Sequence, residues 1–498
     1  MLPEPGRDRL VLAVTVALFG VFYAVFSRVA LHAFPFSGDE YSYLLQAEIF
    51  ARGALHAPTP PHPELLRVDH VILEPWVCSK YPPGTSALLA VGVWGGAAWL
   101  VTPIEGVVAL GAMAVAARRL LEPRAALIAV ALLGAAPLFA FQAASFFSHT
   151  ATTMWLTIAF AAVVAWSYDG RGSGAPSTGA RPLHRAPDWR LVLAGVAIGC
   201  ALLTRPFDAA VFAAAVLSLR SVRAVGLVAA GILPFLGLYF AYQAAQFGSP
   251  FTDGYTLYEP TFRAVYGAHT AVSPISLSNM LSGEQTWHRL DIVRSLVLDW
   301  TVPGTALLAL FGWSALDDEP RARTRRFVTT LGAMCGVILL TVGADDDGAR
   351  PRYLSTVLIP MAFLAGPGWK IAAGALARTL SPLAGRIVGV AVWGLAPIQL
   401  GSFLVQRTPQ IWAREGLELG VSEQGIEDGV VVVRAEYPTR YARNGPFFDR
   451  RVLYVSPPRS TSLDEVRAAF PGRAVYEAHE GRATGAMEER GWLIVRAP

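Results

Sequence analysis

The chain has 498 residues, 53% of them hydrophobic and only 16% charged, with a formal net charge of +4. So little charge on so long a chain excludes an ordinary soluble protein and a disordered one. Apolar stretches near the ~20 residues that cross a bilayer recur from Leu10 to Leu404, as in a polytopic membrane protein, and the positive charge sits in short loops, which gives no reason to expect nucleic acid.

The first apolar stretch, Leu10 to Leu31, follows Arg7 and Arg9 and has no small-x-small cleavage site behind it. It is read as a retained helix with a cytoplasmic amino terminus. Phe36-Ser37-Gly38-Asp39-Glu40-Tyr41 comes next, and Glu40 to Ala51 has helical character with apolar residues on one side. Asp39 stands at the start of that helix, where a carboxylate can serve as a simple N-cap. The segment His56 to Pro63 is proline-rich and reads as extended. His56, His62, Asp69, His70 and Glu74 share this loop, but their spacing matches no ligand pattern, so no metal and no other cofactor is expected. Ser79-Lys80-Tyr81-Pro82-Pro83-Gly84 follows. Lys80 stands out because the chain has two lysines, the other being Lys370, and uses arginine everywhere else. Without a further argument, Lys80 is equally a lysine snorkelling to the interface.

Lysine and arginine in short loops stay cytoplasmic. The clusters are Arg118, Arg119 and Arg124; Arg171, Arg181, Arg185 and Arg190; Arg220 and Arg223; Arg321, Arg323, Arg325 and Arg326; and Arg378 and Arg386. Placing every cluster inside predicts helices over 10–31, 103–119, 124–142, 150–167, 190–205, 207–220, 223–245, 301–316, 326–343, 353–376 and 386–404. That is about eleven crossings, with the tail outside. Thr85 to Val101 breaks this parity and is read as a helix in the outer leaflet; the alternative is an ordinary span offset by a broken helix elsewhere. The unusual chemistry then collects outside, in 32–102, Ser145 to Thr150, the turn at Arg205, the loop 246–300 and Asp345 to Tyr353. Cys78, Cys200 and Cys335 are far apart and indicate neither disulfides nor a cluster.

From about 405 the chain turns polar and alternates short strands (430–433, 452–455, 474–476, 492–495) with a helix opened by a Ser462/Glu465 capping box. Strands this apolar are buried on both faces. The expected fold is therefore a polytopic α-helical membrane protein with a small C-terminal α/β domain, divided as 1–404 and 405–498.

A membrane helix, Gly38-Asp39-Glu40-Tyr41 with its amphipathic helix, Lys80-Tyr81-Pro82-Pro83 and an outward Arg352-Tyr353, in this order, resemble the GT-C glycosyltransferases. The similarity is greatest to the branch of the lipid A aminoarabinose transferases and protein O-mannosyltransferases, and covers about residues 8–404. The resemblance implies juxtamembrane helices on the periplasmic side, a polyprenyl-phosphate-linked sugar as donor, and inverting transfer outside a bacterial plasma membrane. The acceptor would be a hydroxyl of a lipid, glycan or protein of the cell envelope. It makes Asp39 the general base, with Glu40 in a supporting part, and gives the donor phosphate to Lys80, Tyr81, Arg352 and Tyr353. Chemistry agrees: an attacking hydroxyl must lose a proton, and a phosphate leaving group needs positive charge more than an acid. The family's second external acid has no match; Ser145-Phe146-Phe147-Ser148-His149-Thr150 stands in its place. His149, Arg205, Glu284 and His288 are further candidates for an acceptor pocket. Plainer readings exist for His149 as a helix-end histidine, for Arg352 as an ion-pair partner of Asp345, Asp346 or Asp347, and for 284–291 as a solvated helix, while Arg205 stands at an outer helix end where it could contact phosphate or lipid headgroups. A lipid flippase or transporter and a non-catalytic assembly partner are the rival functions.

Overall fold

The structure is a computed structural model describing residues 5–169, 188–258, 260, 283–316, 321–341, 350–379, 381–435, 438–458, 460–481 and 492–497. The chain opens with α1 (Pro5–Val25), prolonged by a π-helical turn Phe26–Ala30, then α2 (Gly38–Ala51) and the short strands β1 (Ala57–Pro58), β2 (Val71–Ile72) and β3 (Trp76–Ser79). The helices α3 (Pro83–Trp94), α4 (Val101–Leu120), α5 (Pro123–Gly134), α6 (Pro137–Ala144), α7 (Ser148–Asp169), α8 (Trp189–Leu202), α9 (Pro206–Val216) and α10 (Val222–Phe247) follow. After them come α11 (Gly283–Leu298), α12 (Thr305–Ser314), α13 (Ala322–Thr341), a 3-10 stretch Arg350–Val357, α14 (Leu358–Thr379) and the long α15 (Pro382–Glu423). The tail adds β4 (Gly429–Arg434), β5 (Val452–Val455), α16 (Leu463–Ala469), β6 (Val475–Glu480) and β7 (Trp492–Arg496).

Proline marks many of these starts. Pro83, Pro123, Pro137, Pro206 and Pro382 each occupy the first position of their helix, where the missing N–H costs nothing and the fixed φ is already helical. Each of the eleven expected segments contains a helix, but not all are long enough to cross. Among the described residues five helices are long and apolar enough: Gly6–Ala30, Ala98–Leu120, Ser148–Tyr168, Val222–Phe247 and Pro351–Thr379. A sixth qualifies if α5 and α6, bent by 59° at their junction, count as one span. The helices Trp189–Leu202, Pro206–Leu219 and Thr305–Ser314 are shorter, so fewer than eleven full-length spans are found among the described residues. The stretch Thr85 to Val101 is likewise not one helix. It breaks at Gly95 and at Gly96, whose φ is +66°, leaving α3 about 18 Å long, short of the ~30 Å hydrocarbon core.

The chain forms two compact units, each of which is described by itself. The first comprises Met1–Ser27, Thr102–Phe240 and Val272–Ser402 and is a helical bundle packed through small residues. A Cβ on Gly312 would lie 1.8 Å from the Leu364 carbonyl oxygen, and one on Gly368 1.8 Å from that of Leu308, so α12 and α14 touch backbone to backbone. Gly195 and Gly231 do the same for α8 and α10, at 2.1 and 2.4 Å. Such close approach is how helices associate where lipid removes the hydrophobic drive.

The second unit comprises Arg28–Val101, Ala241–Ala271 and Phe403–Pro498. It holds an antiparallel sheet ordered β1-β3-β2 and a four-stranded sheet ordered β5-β4-β6-β7, in which β4 is parallel to β5 and β6 while β7 is antiparallel. Alternate residues of β4 face opposite ways. Val430 and Val432 pack with Leu45 and Ile49 of α2 and with Val71 and Val77, while Val431 and Val433 pack with Leu417 and Val421 of α15. The central strand β4 is therefore buried on both faces, as its apolar run requires, whereas β7 leaves Leu493 and Val495 exposed. Residues 405–498 share one of these cores with residues 45–77. At the β5 edge the Asn444 side chain accepts from Tyr454 N–H (2.9 Å) and donates to Tyr454 C=O (2.8 Å), while its own backbone carbonyl accepts the Tyr41 hydroxyl of α2. The Ser462/Glu465 capping box forms as read.

Candidate active site

The first turn of α2 is built by a second capping box. Ser37 is the N-cap; its hydroxyl accepts from the Glu40 N–H (3.2 Å), and Glu40 Oε2 accepts from the Ser37 N–H (3.0 Å) and hydroxyl (2.9 Å). The N-cap is thus Ser37 and not Asp39, which is the second residue of the helix. Sequence explains the outcome: Ser-x-x-Glu satisfies two orphan donors at once, which a lone Asp cannot. Glu40, fully buried, is thus engaged in holding the helix start. Asp39 meets two other elements. Its Oδ1 accepts the Tyr81 hydroxyl and lies 3.2 Å from His70 Nε2.

His70 is placed by its backbone. Its φ of 63° is left-handed, its N–H donates to the Tyr258 hydroxyl (2.9 Å), and its C=O accepts from Ser42 Oγ (2.7 Å) and the Lys80 N–H (3.2 Å). Asp69, one residue earlier, is gripped by the tail: its carboxylate accepts the Thr439 hydroxyl at 2.6 Å and lies 3.8 Å from Arg440 Nε. Gly38 lets α2 approach this turn, since a Cβ there would lie 2.7 Å from Asp69 Cβ. Burial, and then the Asp39 carboxylate, push the Tyr81 hydroxyl well above its ordinary range. It stays protonated and can only donate to Asp39.

Lys80 is buried on the same corner. Its Nζ lies 4.7 Å from the ring centre of Tyr258 and 5.1 Å from those of Tyr81 and Tyr255, a cage that stabilises an ammonium by the ring quadrupoles. Tyr255 remains partly exposed at 46%. Gly254 is obligatory here, because a Cβ would come within 2.3 Å of the Lys80 carbonyl oxygen. A polar chain ties the corner to α2: Ser42 and Ser79 share a bond between hydroxyls (2.7 Å), and the Ser79 N–H donates to Gln46 Oε1 (2.9 Å). Burial pushes the neighbouring Cys78 thiol up to about 12, which makes it inert as a nucleophile.

The remaining candidates lie in the first unit. Arg352, in the 3-10 stretch, donates to the Tyr353 hydroxyl (3.0 Å) and stands over the Phe147 ring at 5.5 Å. Arg205, at the start of α9, bonds Asp208 at 2.9 Å and faces the Tyr353 ring at 5.6 Å; Thr356 donates to the other Asp208 oxygen at 2.6 Å. His149 is buried between the rings of Phe147 (5.7 Å) and Tyr353 (6.0 Å). Neither of its ring nitrogens has a hydrogen-bond partner among the described residues. Residues 145–150, 205 and 352–353, distant in sequence, thus form one cluster of two guanidiniums, an imidazole and a phenol. Asp345, Asp346 and Asp347 lie outside the described residues.

His288 is part-buried in α11, which packs against the 350–357 stretch; Glu284 lies in the same helix, its side chain outside the described residues. Trp287 is 75% exposed. The histidines and acids of loop 56–74 disperse. His56 stacks on Trp76 at 4.5 Å, His62 approaches Glu64 at 3.4 Å, and Asp69 and His70 face Thr439 and Asp39. Among the described residues no group of three His, Cys, Asp or Glu is arranged to hold a metal.

Sequence reasoning missed His70, Tyr255, Tyr258 and the Thr439/Arg440 clasp. The tyrosines carry a usable signal, being three apart in a helical turn and so on one face. His70 carries none, as its contact with Asp39 depends on the β2-β3 pairing.

No protein-family model matches the chain, and a search of curated proteins returns no match. Solved structures do resemble it. ArnT from Cupriavidus metallidurans in the apo state superposes with a TM-score of 0.56 at 17% identity, over 96% of this chain and 94% of that one. The same enzyme bound to undecaprenyl phosphate gives 0.54 at 15% identity, over 93% of each chain. The Archaeoglobus fulgidus oligosaccharyltransferase in complex with Zn and sulfate gives 0.50 at 14%, over 94% of this chain and 68% of that one. ArnT is matched over nearly its whole length, and the fold of this membrane protein is that of the GT-C glycosyltransferases.

Proposed function

We propose that the chain is a membrane glycosyltransferase that moves a sugar from a polyprenyl-phosphate donor to an acceptor hydroxyl on the extracytoplasmic face. The observation that carries the reading is Asp39. Two donors hold this carboxylate at a helix start, on the same corner as a buried lysine, in a chain of GT-C fold. In the proposed reaction the acceptor oxygen bonds to the anomeric carbon from the face opposite the phosphate. The carbon–phosphate-oxygen bond breaks, and Asp39 takes the hydroxyl proton. Lys80 balances the charge left on the phosphate. Attack opposite the leaving group makes the transfer inverting.

Undecaprenyl phosphate bound to ArnT, the structure of similar fold, supports a lipid-phosphate donor. Arg352 and Tyr353, in the other unit, are a separate proposal of the same kind, resting on their match to the family motif and on the buried cation they supply. The acceptor class is a lipid, glycan or protein of the cell envelope, and the membrane is a bacterial plasma membrane. We assign residues 405–498 an accessory part, since Thr439 and Arg440 grip the residue beside His70.

The test is Asp39→Asn. It keeps shape and removes the base, so the purified variant should melt normally, bind donor normally and lose about 100-fold or more in transfer. Near-normal transfer would reject the reading and favour a flippase or an assembly partner.

A further inference from the structure

Two arginine clusters that are about a hundred residues apart in sequence meet on the first unit. Arg220 comes from the end of the 3-10 turn that follows α9, and Arg325 and Arg326 from the first turns of α13. They line one open groove of about 460 Å3 with Trp313 of α12, Leu217 and Thr329. The groove is built rather than incidental. The Trp313 indole N–H donates to the Thr329 hydroxyl at 2.8 Å, which itself donates to the Arg325 carbonyl at 2.8 Å. The Arg325 guanidinium stands 4.8 Å from the Trp313 ring centre. Arg220 is fixed by a left-handed φ of 51° and a backbone bond to Leu217.

Leu217 is 61% and Trp313 41% exposed, so apolar surface flanks the cations on helices of a membrane bundle. Arg205 begins α9 and Arg220 ends the turn after it. The groove therefore lies at the opposite end of this helix from the Arg205, Arg352 and His149 cluster. Both arginine clusters belong to loops that the positive-inside rule assigns to the cytoplasm, and their convergence on one groove is what a shared side requires.

We propose that this groove is a binding site for an anionic phospholipid of the cytoplasmic leaflet. The guanidinium forks of Arg220, Arg325 and Arg326 take the headgroup phosphate, and Leu217 and Trp313 take the start of the acyl chains. A basic pocket between membrane helices suits such a lipid, because each arginine adds attraction to the headgroup while the flanking apolar wall excludes a ligand without a tail. The site is independent of the transfer chemistry.

The experiment uses the full chain in neutral detergent, titrated with phosphatidylglycerol or phosphatidylcholine and read by native mass spectrometry. Wild type should hold phosphatidylglycerol at least about tenfold more tightly than phosphatidylcholine. Arg220→Gln/Arg326→Gln should lose that preference at an unchanged melting temperature; if the pair fails to fold, Arg326→Gln alone should lose a severalfold part. Millimolar inorganic phosphate should not displace the lipid. Equal affinity for the two lipids in wild type, or a preference that survives in the folded variants, overturns the proposal. Displacement by inorganic phosphate at concentrations matching the lipid would assign the groove to soluble phosphate and overturn it equally.

Discussion

His70 Nε2 and the Tyr81 hydroxyl meet on one oxygen of Asp39, Oδ1, from two different segments of the chain. The carboxylate plane is therefore set by the loop before β2 and by the turn after β3, not by α2 alone. If Asp39 is the base proposed above, removing the imidazole should leave donor binding intact and loosen that carboxylate. His70→Ala is expected to lower kcat about tenfold, the worth of one good hydrogen bond in the transition state, and His70→Gln, which keeps a donor, to recover part of it. Equal losses in kcat and in donor affinity would show that His70 shapes the pocket and does not act through Asp39.

Tyr81 gives a pH test with a definite sign. Its folded-state pKa is raised, mainly by burial, so its contribution to stability is present below the unfolded value of about 10 and is lost as pH rises above it. Wild type should lose melting temperature above about pH 10 faster than Tyr81→Phe does. Parallel curves for the two proteins would contradict the protonated, donating phenol.

Lys80→Ala should weaken donor affinity by about 1.5–3 kcal/mol, the range for a hydrogen bond to a charged group. Arg352→Ala, tested by itself, should do the same if the second cation also meets phosphate. Isothermal titration with a polyprenyl phosphate measures both. Unchanged affinity in Lys80→Ala would remove the lysine from the donor site.

Topology is open to labelling. Arg52 and Gly95 are both exposed, and the parity argument places both outside. Cysteines at each, in a background lacking Cys78, Cys200 and Cys335, should react with an impermeant reagent on intact cells. Reaction at position 52 with position 95 reached only after permeabilisation would mean that the segment crosses.

How far the sequence reached depends on what each residue's role rests on. Lys80 could be singled out because rarity and neighbouring prolines are local facts, and the tail strands could be read because runs such as Val430–Val433 leave few alternatives. The plainer reading of Asp39 as a cap does not hold, because the Ser37-x-x-Glu40 box takes the helix start and satisfies two donors at once. Helix positions were legible, but span lengths were not, since Pro206, Pro137 and Gly304 shorten apolar runs that hydropathy alone joins. His70 and the Thr439/Arg440 clasp lay beyond reach, because they depend on strand register and on residues some 370 positions apart in the chain.

Asn444 carries a consequence for how this chain meets other chains. A strand at the border of a sheet presents unpaired amide groups to which any extended peptide can add. Here one side-chain amide imitates the missing neighbour at Tyr454, using a donor and an acceptor in the geometry a strand would use. The sheet border is thereby closed to strand addition by another copy or by a passing unfolded chain. Asn444→Ala should leave the chain folded yet prone to self-association through β5.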